Sequence, residues 1–265
     1  MRVFISADIE GTTFTTLWDE TELGHNLYAA AAKQMTAEVK AACEGAIAAG
    51  ADFILVNDAH DYAVNLDVSQ LPECVEVIRG WSGSPMGMAD GCDESFDAAM
   101  FIGYHSAAGR NGNPLSHTYT TKTNSVKLNG MVCSEFLLFS WACALKGVPT
   151  VMLSGDKMLT EDSQGIHPKL KTVAVKDGFG GSTRCLNPGL TCKMIREQAE
   201  AALKQELGDA GVTLPEKFVF EVAYKEHRDA VRRSFFPGCR LEGDRTVVLE
   251  TEDFVDVLRA VQFIL

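Results

Sequence analysis

Apolar positions in the first half of the chain fall into short unbroken runs. Val3 to Ile9, Phe53 to Asn57, Ala98 to Tyr104 and Pro149 to Leu153 are each too short for a helix. They read as strands buried on both faces. Between the first two, Leu27 to Ala49 places Leu27, Ala31, Met35, Val39, Ala42, Cys43, Ala46 and Ile47 on one helical face and stops at Gly50. Cys133 to Lys146 is apolar all round and reads as a buried helix. This alternation predicts an α/β fold, a layered α/β/α arrangement with a mainly parallel central sheet.

The second half changes character. Lys171 to Lys176 reads as a strand, and Asn187-Pro188 starts a polar amphipathic helix reaching about Leu207, with Asn at the N-cap and Pro at the first helical position. Lys217 to Ala223 and Arg245 to Glu250 alternate as strands do, and Thr251 caps a last helix, Glu252 to Leu265. The expected organisation is a metal-binding α/β core over residues 1–155 and a smaller C-terminal α/β or α+β part over 156–265, packed on that core.

A length of 265 residues with 46% hydrophobic content suffices for a proper core. The net charge of -12 argues against nucleic acid or an anionic membrane as partner. No run of about 18 apolar residues predicts a membrane span. The N-terminal segment lacks the pattern of a secretory signal, so a cytoplasmic location is expected. The eight cysteines form no CxxC pair and read as reduced thiols, several of them core packing. Trp18, Trp81 and Trp141 read as packing residues, with Trp18 able to line a pocket.

Strand ends carry the candidate chemistry, because ligands of open α/β sheets bind beyond the carboxyl ends of strands. The first strand ends in Asp8-Ile9-Glu10, the second in Asn57-Asp58-Ala59-His60-Asp61 and the third in Gly103-Tyr104-His105. Three parallel strands delivering Asp8, Glu10, His60 and His105 to one rim would suit Zn²⁺ or a similar ion. Asp8 and Glu10, two apart on extended chain, lie on one face roughly 7 Å apart. Two zinc ions would call for a third acid. Glu135 opens the apolar helix and is the sole acid between Asp97 and Asp156. Its bland reading is a favourable place in the helix dipole. His117 is either a fourth ligand or a free imidazole placed to move a proton. Asp58 and Asp61 read equally well as turn formers. His25, His167 and His227 are left without a role. No phosphate-loop pattern and no GxSxG elbow occurs.

The ordered set "SADIEG", "VNDAH", "FIGYHS", "LSHTY" and "SE" before a helix resembles the zinc-dependent D-aminopeptidases encoded with dipeptide-transport genes, which are self-compartmentalising metallopeptidases. The likeness continues through "LSGDK", "VAVKDG" and "CLNP" to about residue 190. No single motif is specific; the ordered set is. The resemblance implies an aminopeptidase with two zinc ions per chain, acting on short peptides or amides with an N-terminal D-residue such as D-Ala. It implies that Asp8 bridges the metals, that Glu10, His60, His105 and Glu135 complete the shell, and that His117 is catalytic beside a metal-activated water. It also implies a homo-oligomer, decameric in form, with active sites facing an inner channel. Two departures stand out: Ser134 replaces a usual Gly before the ligand glutamate, and Thr12 to Leu23 diverges.

Two rival readings follow from the same residues. Asp8-Ile9-Glu10-Gly11-Thr12 is close to the DxDxT of haloacid-dehalogenase-type phosphatases, with Asp156, Glu161 and Asp162 as late Mg²⁺ acids. A peptide-binding oligomer with a structural metal is the non-catalytic rival, although structural zinc sites favour Cys ligands.

Overall fold

Residues Arg2–Ala7 form strand β1, and its packing explains why the N-terminal run is apolar without interruption. Val3 and Ile5 enter one buried cluster, while Phe4 enters another on the opposite face. Strand side chains alternate, so a strand covered on both faces needs apolar residues at every position. Strand β4 (Ala98–Tyr104) repeats the arrangement, with Met100 and Ile102 on one side and Phe101 on the other. The computed structural model describes residues 1–265.

The remaining elements follow in chain order. Helix α1 is Tyr28–Ala48, and strands β2 and β3 are Phe53–Asp58 and Val75–Ile78. After β4 come β5 (Thr123–Leu128), β6 (Met131–Val132) and helix α2 (Glu135–Leu145). Then follow β7 (Thr150–Asp156), α3 (Lys157–Ile166), β8 (Lys171–Phe179), β9 (Ser182–Cys185) and α4 (Pro188–Leu203). The chain closes with β10 (Phe218–Tyr224), α5 (His227–Arg233), β11 (Cys239–Glu242), β12 (Thr246–Thr251) and α6 (Phe254–Ile264).

The strands form a seven-stranded sheet ordered β3-β2-β1-β4-β7-β8-β9 and a five-stranded sheet ordered β11-β12-β10-β5-β6. The large sheet is parallel from β3 to β8, and β9 runs antiparallel at its edge. The small sheet is antiparallel throughout. Helices α1 and α4 cover one face of the large sheet through Met35, Val39, Ile195 and Ala199. On the other face, α2 and the small sheet share a core built from Phe101, Phe136, Phe139, Phe220 and Val247. No helix is long and apolar enough to cross a membrane.

The α/β class and the mainly parallel sheet are as expected. The division expected between residues 155 and 156 falls at the β7–α3 junction, within the large sheet. Strands β8 and β9 beyond it continue that sheet, and β5 and β6 before it belong to the small one. Element ends also differ from the sequence reading. Helix α4 stops at Leu203, and Leu207–Ala210 makes a separate 3₁₀ turn. Helix α6 is capped by Asp253, whose Oδ1 accepts from the Val255 amide at 2.8 Å; Thr251 instead ends β12.

The sheet order places the switch in winding direction at β1. The chain steps from β1 to β2 on one side and later returns to β4 on the other. A crevice therefore opens beyond the carboxyl ends of β1, β2 and β4, where such folds bind ligands.

Candidate metal centre

Gly11 sets the exit of β1. Its amide donates to the Gly103 carbonyl at 2.7 Å, and a Cβ there would overlap the carbonyl of Tyr104. The glycine is thus required by the backbone of β4, rather than by room around a metal. This close crossing turns Asp8 and Glu10 toward the ends of β2 and β4.

Asp8, Glu10, His60, His105 and Glu135 converge there, all essentially buried. His60 Nδ1 lies 3.0 Å from Glu10 Oε2 and 3.4 Å from Asp8 Oδ1. His105 Nε2 lies 3.5 Å from Asp8 Oδ2 and 3.3 Å from Glu135 Oε2. His117 Nε2 is 3.5 Å from Glu135 Oε1, and its ring stacks on His105 with centroids 4.2 Å apart. Asp8, Glu10 and His105 form one set able to hold an ion; His105, His117 and Glu135 form a second that shares His105.

Main-chain partners fix the tautomer of each histidine. Nε2 of His60 donates to the Thr21 carbonyl at 2.8 Å. Nδ1 of His105 donates to Ser106 O at 3.0 Å, and Nδ1 of His117 donates to Leu115 O at 2.8 Å. A carbonyl can only accept, so each of these nitrogens carries a proton. The other nitrogen of each neutral ring then presents a lone pair to carboxylate oxygens that also present lone pairs. Asp8 Oδ2, Glu10 Oε2 and His105 Nε2 are buried without a hydrogen-bond partner. Acceptors facing acceptors in a buried site call for cations.

The ion pairs of these carboxylates are with histidines, so protons on the cluster itself are what the chain offers them, and the titration behaviour shows the demand. Burial raises the Asp8 carboxyl to about 8, with Glu10 adding to the effect. Burial would lower His105, but Glu135 and Asp8 outweigh it and push the ring up to about 10. His60 is raised well above its usual range, since Glu10 and Asp8 overcome its burial. His117 behaves oppositely: burial and the neighbouring His105 hold it low. It is the one ring of the three that its surroundings shift downward.

A cavity of about 590 Å³ opens onto these residues, its walls including Trp18, Met88 and Tyr119. The full sequence matches the peptidase M55 family, described as D-aminopeptidase, over residues 1–263. The chain belongs to the M55 family. Within it, this M55 peptidase is 27% identical to a D-aminopeptidase of Bacillus subtilis (strain 168) over 264 residues, 98% of this chain and 95% of that one. Its fold matches the solved Zn-dependent D-aminopeptidase DppA from Bacillus subtilis, described as a self-compartmentalizing protease, with a TM-score of 0.93. That likeness covers 100% of this chain and 96% of DppA at 24% identity and concerns the fold.

Membership makes the chain a metallo-aminopeptidase, in line with the family resemblance, and the phosphatase reading finds no support in the geometry. Asp156 spends its carboxylate on the Ser106 and Leu159 amides, and Asp162 pairs with Arg110 at the surface. Asp58 is likewise structural, accepting from the Asn65 and Leu66 amides. His25 sits at the surface beside Asp19 and Glu22, and His167 is buried beside Ser140.

Three supporting residues of the M55 peptidase escaped the sequence reading. Lys176 is buried and donates to the carbonyls of Glu10 and Thr15. Asn113 donates to the same Glu10 carbonyl at 2.9 Å. Thr21 orients His60 through a main-chain atom, which no residue type announces. A lysine in the otherwise apolar run before Asp177 was the one available signal. Ser134, in the usual glycine position, is accounted for: its Oγ accepts from the Leu137 amide at 3.1 Å and caps α2. Cys133 is buried, and burial pushes its thiol up, so it is not a reactive group.

Proposed function

We propose that the protein is a dinuclear zinc aminopeptidase that cleaves short peptides or amides carrying an N-terminal D-residue such as D-Ala. The observation that carries this reading is the set of histidine rings, each tethered by one nitrogen to a main-chain carbonyl and aiming the other at buried carboxylates. Asp8, Glu10, His60, His105 and Glu135 would hold the zinc. Three carboxylates would nearly balance two divalent ions, and Asp8, flanked by His60 and His105, would serve as a ligand with either ring. When bound, zinc supplies an activated water and a polarised substrate carbonyl.

The chain's own residues supply the rest. Burial keeps bulk water from competing. His117, its Nδ1 proton fixed on Leu115, accepts at Nε2 the proton that the attacking water gives up and delivers it to the leaving amine. Preference for the D-configuration rests on membership of the family. A homo-oligomer agrees with the self-compartmentalizing relative, the decameric form rests on the family resemblance, and light scattering of the purified chain tests both.

Hydrolysis of paired D-Ala and L-Ala amides by the zinc-loaded protein tests the substrate claim. D-selective cleavage is expected. Cleavage selective for L-Ala amide would contradict the stereochemical part, and no cleavage of either amide or of matched dipeptides would contradict the activity.

A further inference from the structure

The short turn Trp18–Glu20, in the divergent stretch after β1, touches both sides of the catalytic crevice. At its end, the Thr21 carbonyl receives the His60 Nε2 proton at 2.8 Å. At its start, the Trp18 indole meets the His117 ring edge to face, with centroids 5.3 Å apart and planes at 69°. The His117 ring therefore meets two others, stacked on His105 and edge to face with Trp18. We propose that Trp18 is a positioning residue that fixes the His117 imidazole and closes its solvent side.

The turn is built to hold such a ring still. Glu20 Oε2 accepts from the amides of Thr16 at 2.6 Å and Leu17 at 2.8 Å, tying the residues just before Trp18 to the end of the turn. The Thr21 hydroxyl donates to the Trp18 carbonyl at 2.9 Å. Upstream, Lys176 anchors the Thr15 carbonyl, and Phe14 holds a left-handed φ of 56°, a conformation that persists only when its surroundings enforce it. Trp18 keeps 37% of its surface exposed while bordering the cavity. A core tryptophan would be covered; this one has an apolar face at the mouth of a polar site. Removing it would free the solvent side of His117 and let the ring leave its line toward Glu135 and the substrate. Small misplacements of a catalytic group cost large factors in rate.

This inference rests on the role of His117 given above, so the test includes both residues. Trp18→Ala, Trp18→Phe and His117→Ala are compared with the wild type on D-Ala amide, whose leaving group, ammonia, offers an indole almost nothing to touch. For Trp18→Ala, kcat is expected to fall about 10-fold with KM changed less than about 2-fold and zinc content unchanged. Trp18→Phe, which keeps a ring against His117, is expected to recover most of the kcat. A wild-type kcat in Trp18→Ala beside an inactive His117→Ala would overturn the positioning role alone. A loss confined to KM, or accompanied by loss of zinc, would also overturn it, by making Trp18 a substrate contact or a prop for His60. Full activity in His117→Ala would overturn the reading of His117 and the inference with it.

Discussion

Each site histidine has one nitrogen committed to the main chain, and the three differ more in position than in these tethers. His60 and His105 lie between pairs of carboxylates, whereas His117 reaches a single one, Glu135. Replacing His60 by Ala should therefore lower zinc content, while His117→Ala should leave zinc nearly intact and cut turnover by about 10²–10⁴-fold. Metal analysis and kinetics on the same samples check both, and loss of zinc from His117→Ala would make it a ligand. At this scale the sequence was most informative. Asp8, Glu10, His60 and His105 stand at strand ends, where side-chain chemistry and backbone direction are both legible. Glu135 was legible as an isolated acid before an apolar helix. The groups that orient these residues were not, because Thr21, Ser106 and Leu115 act through carbonyls that every residue carries.

Helix α2 shows how an element positions a site residue. Its first residue is Glu135, and the preceding Ser134 caps it through the Leu137 amide. Ser134→Ala should cost about 0.5–2 kcal/mol, whereas Ser134→Gly should cost only a few tenths. Denaturant melts of the two variants check this. Equal losses in both would show that the hydroxyl does something besides capping. The long apolar elements were readable because burial on both faces leaves no polar positions to confuse the period. Strands β5 and β6 were not. Asn124 and Lys127 of β5 face solvent, and β6 has two residues, so neither carries a pattern of its own. Strand β5 pairs with β10, nearly a hundred residues later in sequence, and β6 pairs with β5 alone. Helix α3 was missed where a change of subdomain was expected; its capping Asp156 is also the residue that fixes Ser106 beside His105.

Across the whole molecule, a second buried polar group lies behind the metal centre, between α1 and the loop after β1. Glu38 accepts from the Thr13 amide and from Gln34 at 2.9 Å each, while its other oxygen has no partner. Burial raises its carboxyl from 4.5 to about 7. The folded state thus binds a proton more tightly than the unfolded one. The stability gained from that proton is complete below pH 4.5 and is lost as pH rises through about 7. Wild type should lose on the order of 3 kcal/mol relative to Glu38→Gln across this window. Lys176, pushed down to about 8 by burial, changes its proton only above it. Parallel pH-dependent stabilities for the two proteins would exclude a linked proton at Glu38. The arrangement of the two sheets about one core was the least legible feature, since the small sheet draws β5 and β6 from one half of the chain and β10 to β12 from the other.

The metal centre governs the remaining behaviour, and its stoichiometry is the most direct observation to make. Zinc per chain should be measured by mass spectrometry of the purified protein after dialysis against trace zinc, beside Asp8→Ala. Two zinc ions per wild-type chain are expected, with fewer in the variant, because Asp8 lies within reach of both His60 and His105. A wild-type chain that retains no zinc, or an Asp8→Ala chain that retains as much as the wild type, would contradict the dinuclear site.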